Sequence, residues 1–278
     1  MNALKDKKGY VCDMDGVIYH GSRLIEGAKE FVEWLKTEGK EFLFLTNASN
    51  SNPKELQQKL SHMGTEVGEE HFMTSAIATA NFLANQKPKS GVYVIGKSGL
   101  FNALHNAGFY IDQVHPEYVI VGETRTYNFE RIESAIRLVL KGAKLIATNF
   151  DLTCPSENGI RPACRALVAP IELASGRKAY FIGKPNPLIM RQALKIIKCT
   201  REETVIIGDR MDTDIIAGIE SDIETVLVLS GITKMDDLIN FAYQPDHILN
   251  SVADIVKSKQ NLHSAAAEKS LRPVLQHI

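Results

Sequence analysis

The chain has 278 residues, of which 44% are hydrophobic, so it is long enough for a buried core and one or two domains. Its formal net charge is -1, whereas nucleic-acid-binding proteins usually carry a basic excess. A phosphate-bearing substrate is not excluded by this charge, because a few local donors are enough to hold a phosphate.

Neither a leader nor a membrane segment is indicated by the sequence. The first 16 residues contain lysines but no long apolar stretch after them, which is not the pattern of a secretory signal. No apolar run approaches the roughly 20 residues that span a bilayer. We therefore expect a cytoplasmic protein that binds neither membranes nor nucleic acid.

The cysteines give no sign of a zinc site, because none of them forms a CxxC pair. The four are Cys12, Cys154, Cys164 and Cys199. Cys154 and Cys164 could approach each other, but in the cytoplasm we expect both to stay reduced.

Short apolar runs alternate with amphipathic stretches, and Gly, Asn or Asp bound the runs, which predicts buried parallel strands. The runs lie at 10–12, 41–45, 92–95, 118–121, 144–147, 179–182, 204–207 and 225–229. Helices are predicted between them, for example at 27–37 and at 53–63, where Asn52 and Glu55 mark a helix start. This alternation predicts an α/β fold with a doubly wound, mostly parallel sheet.

The segment 89–178 has strands and helices of its own, so we predict that it is a smaller α/β domain inserted into the first. Its edges are marked by the sequences QKPK at 86–89 and SGR at 175–177. The larger domain then takes residues 1–88 and 179–260, and residues 261–278 form a C-terminal tail.

Three of the apolar runs end in polar residues, namely Asp13 and Asp15, Thr46 and Asn47, and Asp209. Ligands of doubly wound sheets bind outside the carboxyl ends of the strands, so we expect these residues to meet. Asp13 and Asp15 are two residues apart at a strand end, so their carboxylates can point roughly the same way. Clustered carboxylates need a compensating cation, and their oxygens suit Mg²⁺. For any one Asp alone, a turn or a helix cap is the alternative.

Lys184 follows the run 179–182 within the sequence GKPNP, whose two prolines restrict the backbone. A lysine held in this way could neutralise a phosphate or a nucleophilic carboxylate. The alternative is a solvated loop lysine, which is the usual case for a single lysine.

Together these residues resemble the four motifs of the haloacid dehalogenase-like phosphatases. The motifs are DMDGV at 13–17, LTN at 45–47, GKP at 183–185 and GDRMDTD at 208–214. Three further segments, at 121–128, 146–149 and 174–187, resemble the NagD-like branch, which includes nucleotide and pyridoxal phosphate phosphatases. The likeness extends to about residue 255, and its specificity comes from the order and spacing of the motifs.

The resemblance implies a phosphatase that acts through a phospho-aspartate. Asp13 would attack phosphorus, and Asp15 would protonate the leaving oxygen and then deprotonate the attacking water. Thr46, Asn47 and Lys184 would hold the phosphoryl oxygens.

The resemblance also implies a Mg²⁺ site and a cap. Asp13, the backbone carbonyl of Asp15 and Asp209 would bind the ion, and Asp214 would support them. The insertion 89–178 would be a C2-type cap that closes over the site and selects a small phosphate ester, such as a nucleoside monophosphate or a sugar phosphate.

Two other functions fit parts of the sequence. Residues 91–98 match the P-loop pattern GxxxxGK[ST], but the middle of the match is itself a predicted strand, whereas a P-loop needs a loop of amide donors there. A phospho-acceptor or binding module without turnover would also cluster aspartates on a parallel sheet, but it would gain nothing from Asp15. The sequence leaves open the roles of Arg210 and Asp212, the natural substrate and whether the chain forms a homo-oligomer.

Overall fold

The computed structural model describes residues 2–156 and 159–257, and the predicted tail at 261–278 lies outside them. The strands in chain order are β1 (Gly9–Cys12), β2 (Tyr19–His20), β3 (Arg23–Leu24), β4 (Glu41–Thr46), β5 (Phe72–Thr74), β6 (Gly91–Ile95), β7 (Tyr110–Ile111), β8 (Tyr118–Val121), β9 (Lys144–Ala147), β10 (Thr153–Ser156), β11 (Gly159–Pro162), β12 (Tyr180–Phe181), β13 (Thr204–Gly208), β14 (Glu224–Val228) and β15 (His247–Leu249).

Helices connect most of these strands. In chain order they are α1 (Asn2–Asp6), α2 (Ala28–Thr37), α3 (Pro53–His62), α4 (Ser75–Gln86), α5 (Ser98–Asn106), α6 (Phe129–Leu140), α7 (Cys164–Ser175), α8 (Pro187–Ile197), α9 (Ile216–Ile219) and α10 (Ala253–Val256). A π-helical turn, Met211–Ile215, leads into α9, and 3₁₀ turns lie at Glu69–His71 and Met235–Asn240.

The larger sheet has the strand order β15-β14-β13-β1-β4-β5, and all of its pairs are parallel. Its centre is β1, which pairs with β13 on one side and with β4 on the other. Side chains of β1 alternate between two apolar clusters, since Tyr10 packs with Phe31 of α2 while Val11 packs with Ile189 of α8. Helices therefore cover both faces, which confirms the predicted doubly wound α/β fold.

The smaller sheet has the order β12-β9-β8-β6-β7 and is also parallel. The structure forms β6 at Gly91–Ile95, so the middle of the P-loop-like match is a strand, as predicted.

The position of β12 differs from the sequence prediction, in which the second segment of the larger domain begins at residue 179. The strand pairs with β9 through Tyr180–Ile146 and Phe181–Ala147, and so belongs to the smaller sheet. The division into a core and a cap domain stays a prediction.

One apolar cluster extends across both sheets. It contains Leu43 of β4 and Leu83 of α4, and it continues to Val92 of β6, Leu104 of α5 and Ile146 of β9. Burial of each such side chain stabilises the fold by about 1.5–3 kcal/mol. Shared apolar packing therefore joins the two sheets, in addition to the chain segments that connect them.

The start of α3 has the cap that the sequence predicts. The side-chain oxygen of Asn52 accepts a hydrogen bond from the backbone N–H of Glu55 at 2.9 Å, and the Glu55 carboxylate accepts one from the backbone N–H of Asn52 at 2.9 Å. Pro53 follows as the first helical residue. These reciprocal bonds satisfy two backbone donors that the first turn would otherwise leave free.

We expect Asn52→Ala to lower the free energy of unfolding by about 1 kcal/mol, because the first turn of α3 loses its side-chain acceptor. Chemical denaturation followed by circular dichroism measures this change. Lys54→Ala is the matched control, since Lys54 is exposed in the same turn and should change stability by less than about 0.5 kcal/mol. Equal stability of the two variants would contradict the capping role.

Candidate active site

Three adjacent strands of the larger sheet end at the same place. Asp13 directly follows β1, Asn47 directly follows β4, and Asp209 directly follows β13. β1 lies between the other two strands in a parallel arrangement, so their carboxyl ends share one edge. The residues that the sequence assigned to one site are thus brought to one edge by the register of the sheet.

Lys184 is buried at the centre of this edge, with 2% of its side chain exposed. Its Nζ donates hydrogen bonds to Oδ1 of Asp13 at 2.6 Å, to Oδ1 of Asp214 at 2.6 Å and to the carbonyl oxygen of Leu45 at 3.0 Å. Burial alone would lower the pKa of Lys184, but the charges of Asp13 and Asp214 outweigh burial and raise it. The raised pKa favours the charged ammonium, and the burial of the side chain excludes a solvated loop lysine.

Among the described residues, three carboxylates could hold a metal ion: one oxygen each of Asp13, Asp209 and Asp214, all within 4.8 Å of one another. Burial is the main cause that raises the pKa of Asp13 well above its usual range and that of Asp209 to about 6. The like charge of Asp214 adds to both shifts. This set of hard oxygen donors, kept apart from solvent, fits a divalent cation such as Mg²⁺.

Asp209 is held in place by close backbone contacts. One of its carboxylate oxygens, Oδ2, accepts a hydrogen bond from the backbone N–H of Ile232 at 2.7 Å. The carboxylate also packs against two glycines, since a Cβ atom built on Gly16 or Gly231 would lie 2.4 or 2.0 Å from Oδ2. Gly16 in addition has a φ of +84°, which few other residues adopt. Both positions therefore require glycine.

Asn47 fixes the backbone of Lys184 from both sides. Its side-chain oxygen accepts a hydrogen bond from the Lys184 N–H at 2.8 Å, and its amide nitrogen donates to the Lys184 carbonyl at 3.0 Å. Thr46 is buried beside it, and its hydroxyl accepts a hydrogen bond from the backbone N–H of Ala48 at 3.1 Å. Thr46, Asn47 and Lys184 thus lie at the predicted site, and their contact with a phosphate stays a prediction.

Asp15 lies apart from the carboxylate cluster, with 66% of its side chain exposed and its Oδ1 3.8 Å from Nδ1 of His20. The chain leaves β1 after Cys12, so the alternation of a strand no longer fixes the direction of this side chain, and the common direction expected for the two carboxylates stays a prediction. Burial of part of its surroundings from water raises the pKa of Asp15, and the nearby charges of Lys59 and His20 partly oppose that rise. Metal binding by its backbone carbonyl stays a prediction.

Proteins of similar sequence and fold include several that are named as phosphatases. The family model described as haloacid dehalogenase-like hydrolase matches residues 10–110, and a HAD-hydrolase-like model matches residues 181–255. The chain is 46% identical to a dihydroxyacetone phosphatase of Corynebacterium glutamicum, over 88% of this chain and 90% of that protein. It is 43% identical to the ribonucleotide monophosphatase NagD of Escherichia coli, over 89% of this chain and 98% of that protein.

The chain belongs to the haloacid dehalogenase-like hydrolases. It is a phosphatase of their NagD-like branch, as the resemblance predicted. The solved structure of Escherichia coli NagD matches with a TM-score of 0.85 at 42% identity, over 89% of this chain and 98% of that chain. A 4-nitrophenylphosphatase of Thermotoga maritima matches with a TM-score of 0.88 at 32% identity, over 92% and 98% of the two chains.

Arg210 and Asp212, whose roles the sequence left open, form an ion pair in this phosphatase. The Arg210 guanidinium donates hydrogen bonds to both carboxylate oxygens of Asp212, at 2.9 and 2.7 Å. Asp212 is the outer partner, with 57% of its side chain exposed against 23% for Arg210. The charge of Arg210 also lowers the pKa of Asp151, which burial raises overall. Arg210 therefore faces the carboxylates of the site, and Asp212 faces solvent.

The smaller sheet contributes residues that the sequence prediction did not assign. Glu123 and Asn149 follow the carboxyl ends of β8 and β9, and the Asp151 carboxylate accepts hydrogen bonds from the Asn47 amide at 3.2 and 3.3 Å. Burial, followed by the charge of Asp151, raises the pKa of Glu123, and Arg161 partly opposes this rise. The strand-end rule, applied to the runs 118–121 and 144–147, could have found these residues.

In the part of the chain that the structure describes, no helix has both the length and the apolar surface to cross a bilayer.

We expect Gly231→Ala to lower turnover by about 10²-fold, because the new methyl group would displace the Asp209 carboxylate by about an ångström. Steady-state kinetics with 4-nitrophenyl phosphate measures the loss, and circular dichroism checks the fold. The control is Gly96→Ala, whose methyl group would meet only side-chain atoms of Leu100 and no atom of the site, so turnover should stay near that of the unchanged protein. Unchanged turnover in Gly231→Ala would show that the position of Asp209 does not matter.

Proposed function

We propose that this phosphatase hydrolyses small phosphate esters in two steps through a phospho-aspartate on Asp13. The observation that carries the proposal is the buried contact of 2.6 Å between the Lys184 ammonium and Oδ1 of Asp13. A carboxylate repels an anionic phosphate, and an adjacent fixed cation removes this barrier. The contact also holds the carboxylate in one orientation at the end of β1.

In the first step, a carboxylate oxygen of Asp13 forms a bond to phosphorus, and the bond from phosphorus to the ester oxygen breaks. Asp15 donates a proton to that leaving oxygen. The pKa of Asp15 is raised, which is the direction that this role needs, and its exposed side chain can reach the substrate. Positioned acid–base catalysis of this kind is typically worth about 10² to 10⁴ in rate.

In the second step, water attacks phosphorus while Asp15 accepts one of its protons. The bond between phosphorus and Asp13 breaks, so phosphate is released and both carboxyl groups return to their starting forms. Splitting the reaction in this way replaces one difficult displacement with two easier ones. A phospho-acceptor without turnover would not need Asp15, and the phosphatase relatives support the enzyme.

Mg²⁺ would be held by Asp13, the backbone carbonyl of Asp15 and Asp209, with Asp214 as a supporting residue. When bound, the ion would neutralise charge on the phosphoryl oxygens. Asp214 is already fixed by Lys184 and by the backbone N–H of Arg210 at 3.1 Å, which suits an orienting role. Thr46, Asn47 and Lys184 would hold the remaining phosphoryl oxygens.

The substrate class we propose is a nucleoside monophosphate or a sugar phosphate, with the segment 89–178 as the cap that encloses it. The relatives carry names for activity on ribonucleotides, sugar phosphates and dihydroxyacetone phosphate. Glu123, Asn149 and Asp151 would offer this chain's own acceptors and donors to substrate hydroxyl groups. Cytoplasmic localisation and the oligomeric state stay predictions.

We expect the unchanged protein to release phosphate from members of a panel of nucleoside monophosphates, sugar phosphates and dihydroxyacetone phosphate. Asp13→Asn should reduce this release at least about 10⁴-fold, because an amide cannot form the acyl phosphate. The control is Asp222→Asn, an exposed position remote from the site that should keep full activity. Multiple turnovers by folded Asp13→Asn would remove Asp13 from the nucleophilic role.

Chelation with EDTA should stop turnover, and added Mg²⁺ should restore it. Ca²⁺ should inhibit, because its larger and more flexible coordination sphere would misplace the Asp13 carboxylate. Phosphate release after dialysis against chelator, followed by metal addition, measures both effects. Full activity in exhaustively chelated enzyme would defeat the assignment of a metal site to Asp13, Asp15 and Asp209.

A further inference from the structure

A second cavity lies at the other end of the smaller sheet from the phosphate site. Its volume is about 660 Å³, which is in the range of small-molecule pockets. Tyr118 and Lys144 line it, and they are the first residues of β8 and β9. Glu123 and Asn149 follow the opposite ends of the same two strands. The length of the sheet therefore separates this cavity from the catalytic carboxylates.

Aromatic rings form one side of the cavity. Phe82 and Tyr180 are a tilted pair whose centroids are 5.4 Å apart, and Tyr180 remains 45% exposed. Tyr118 adds a third ring, with the Lys144 ammonium 5.6 Å from its centroid. Tyr118 is buried at the base of the cavity and Phe82 is partly buried, so the exposed ring of Tyr180, backed by Phe82, is the surface that suits stacking against a flat aromatic ligand.

The cavity also carries an excess of positive charge. Lys87 and Lys144 both bind the carboxylate of Glu117, which neutralises one of the two ammonium groups. Arg177 and Lys178 are exposed, and within residues 2–156 and 159–257 neither side chain has an ion-pair partner. Four cations and one carboxylate leave three positive charges at the cavity, which favours an anionic ligand.

We propose that this cavity binds a small aromatic anion of the nucleotide class. The base would stack on the rings of Phe82 and Tyr180, and the phosphates would meet the guanidinium of Arg177 and the ammonium of Lys178. Both parts of the ligand are needed, because the rings offer little to a bare polyphosphate and the cations offer nothing to an uncharged nucleoside. The site is distinct from the catalytic one and does not depend on the proposed reaction.

The cavity touches the connection that leads from the larger sheet into the smaller one, and also the loop before β12, the last strand of the smaller sheet. Phe82 lies in α4, Lys87 directly follows that helix, and Arg177 and Lys178 lie between α7 and β12. These positions coincide with the two predicted edges of the inserted segment. A ligand bound here would contact at once the chain that enters the smaller sheet and the loop before the last strand of that sheet.

Isothermal titration calorimetry of the full chain in EDTA tests the proposal, with adenosine 5′-(β,γ-imido)triphosphate as the probe. The probe should bind at least about tenfold more tightly than adenosine or inorganic tripolyphosphate. The double variant Arg177→Ala, Lys178→Ala should weaken the probe at least about tenfold, because charge-assisted hydrogen bonds are lost. Both residues are exposed, so the fold should remain intact.

The matched control is Lys29→Ala, Lys54→Ala, which removes two exposed cations from α2 and α3 and should leave the affinity unchanged. Absence of measurable binding, or equal loss in both double variants, would overturn the proposal. Tripolyphosphate that binds as tightly as the probe would reduce the site to a non-selective anion patch and would equally overturn it. So would sedimentation showing a dimer that only the Arg177→Ala, Lys178→Ala variant dissociates, because a second copy would then cover this face.

Discussion

The buried ammonium of Lys184 is the group on which the geometry of the site depends. It joins Asp13 and Asp214, and the Asn47 amide fixes its backbone on both sides. Removing one partner of a buried ion pair commonly costs about 3–5 kcal/mol, because the other charge is left uncompensated. The network therefore holds β1, β4 and the segment after β12 in one arrangement, and it places the Asp13 carboxyl group beside a cation.

In both sheets of this chain, polar residues follow the carboxyl ends of parallel strands. The larger sheet ends in Asp13, Asn47 and Asp209, and the smaller sheet ends in Glu123 and Asn149. The Asn149 amide donates a hydrogen bond to the Asn47 carbonyl at 2.8 Å, so the two sets of strand ends meet directly. In the reaction proposed above, the nucleophile and the metal ligands would thus follow strands of the larger sheet, and the groups that face the rest of the substrate would follow strands of the smaller one.

Much of this arrangement could be predicted from the sequence, because long apolar runs ended by Asp, Asn or Gly mark buried strands and their active ends. Short edge strands such as β5 and β15 could not, since three residues carry too little pattern. Spacing alone placed Asp15 beside Asp13, but the strand had already ended at Cys12. Arg210 pairs with Asp212 at the start of the π-helical turn, and the sequence offers no clear signal for that turn.

The apolar cluster shared by the two sheets limits how the smaller sheet can be exchanged. Leu83 of α4 and Ile189 of α8 pack in the same cluster as Val92 and Leu104 of the smaller unit. A smaller unit taken from a relative would meet these faces with side chains of other shapes, and mismatched packing costs about 1–3 kcal/mol per site. Exchange of the smaller unit therefore requires matching changes on the helix faces against which it packs.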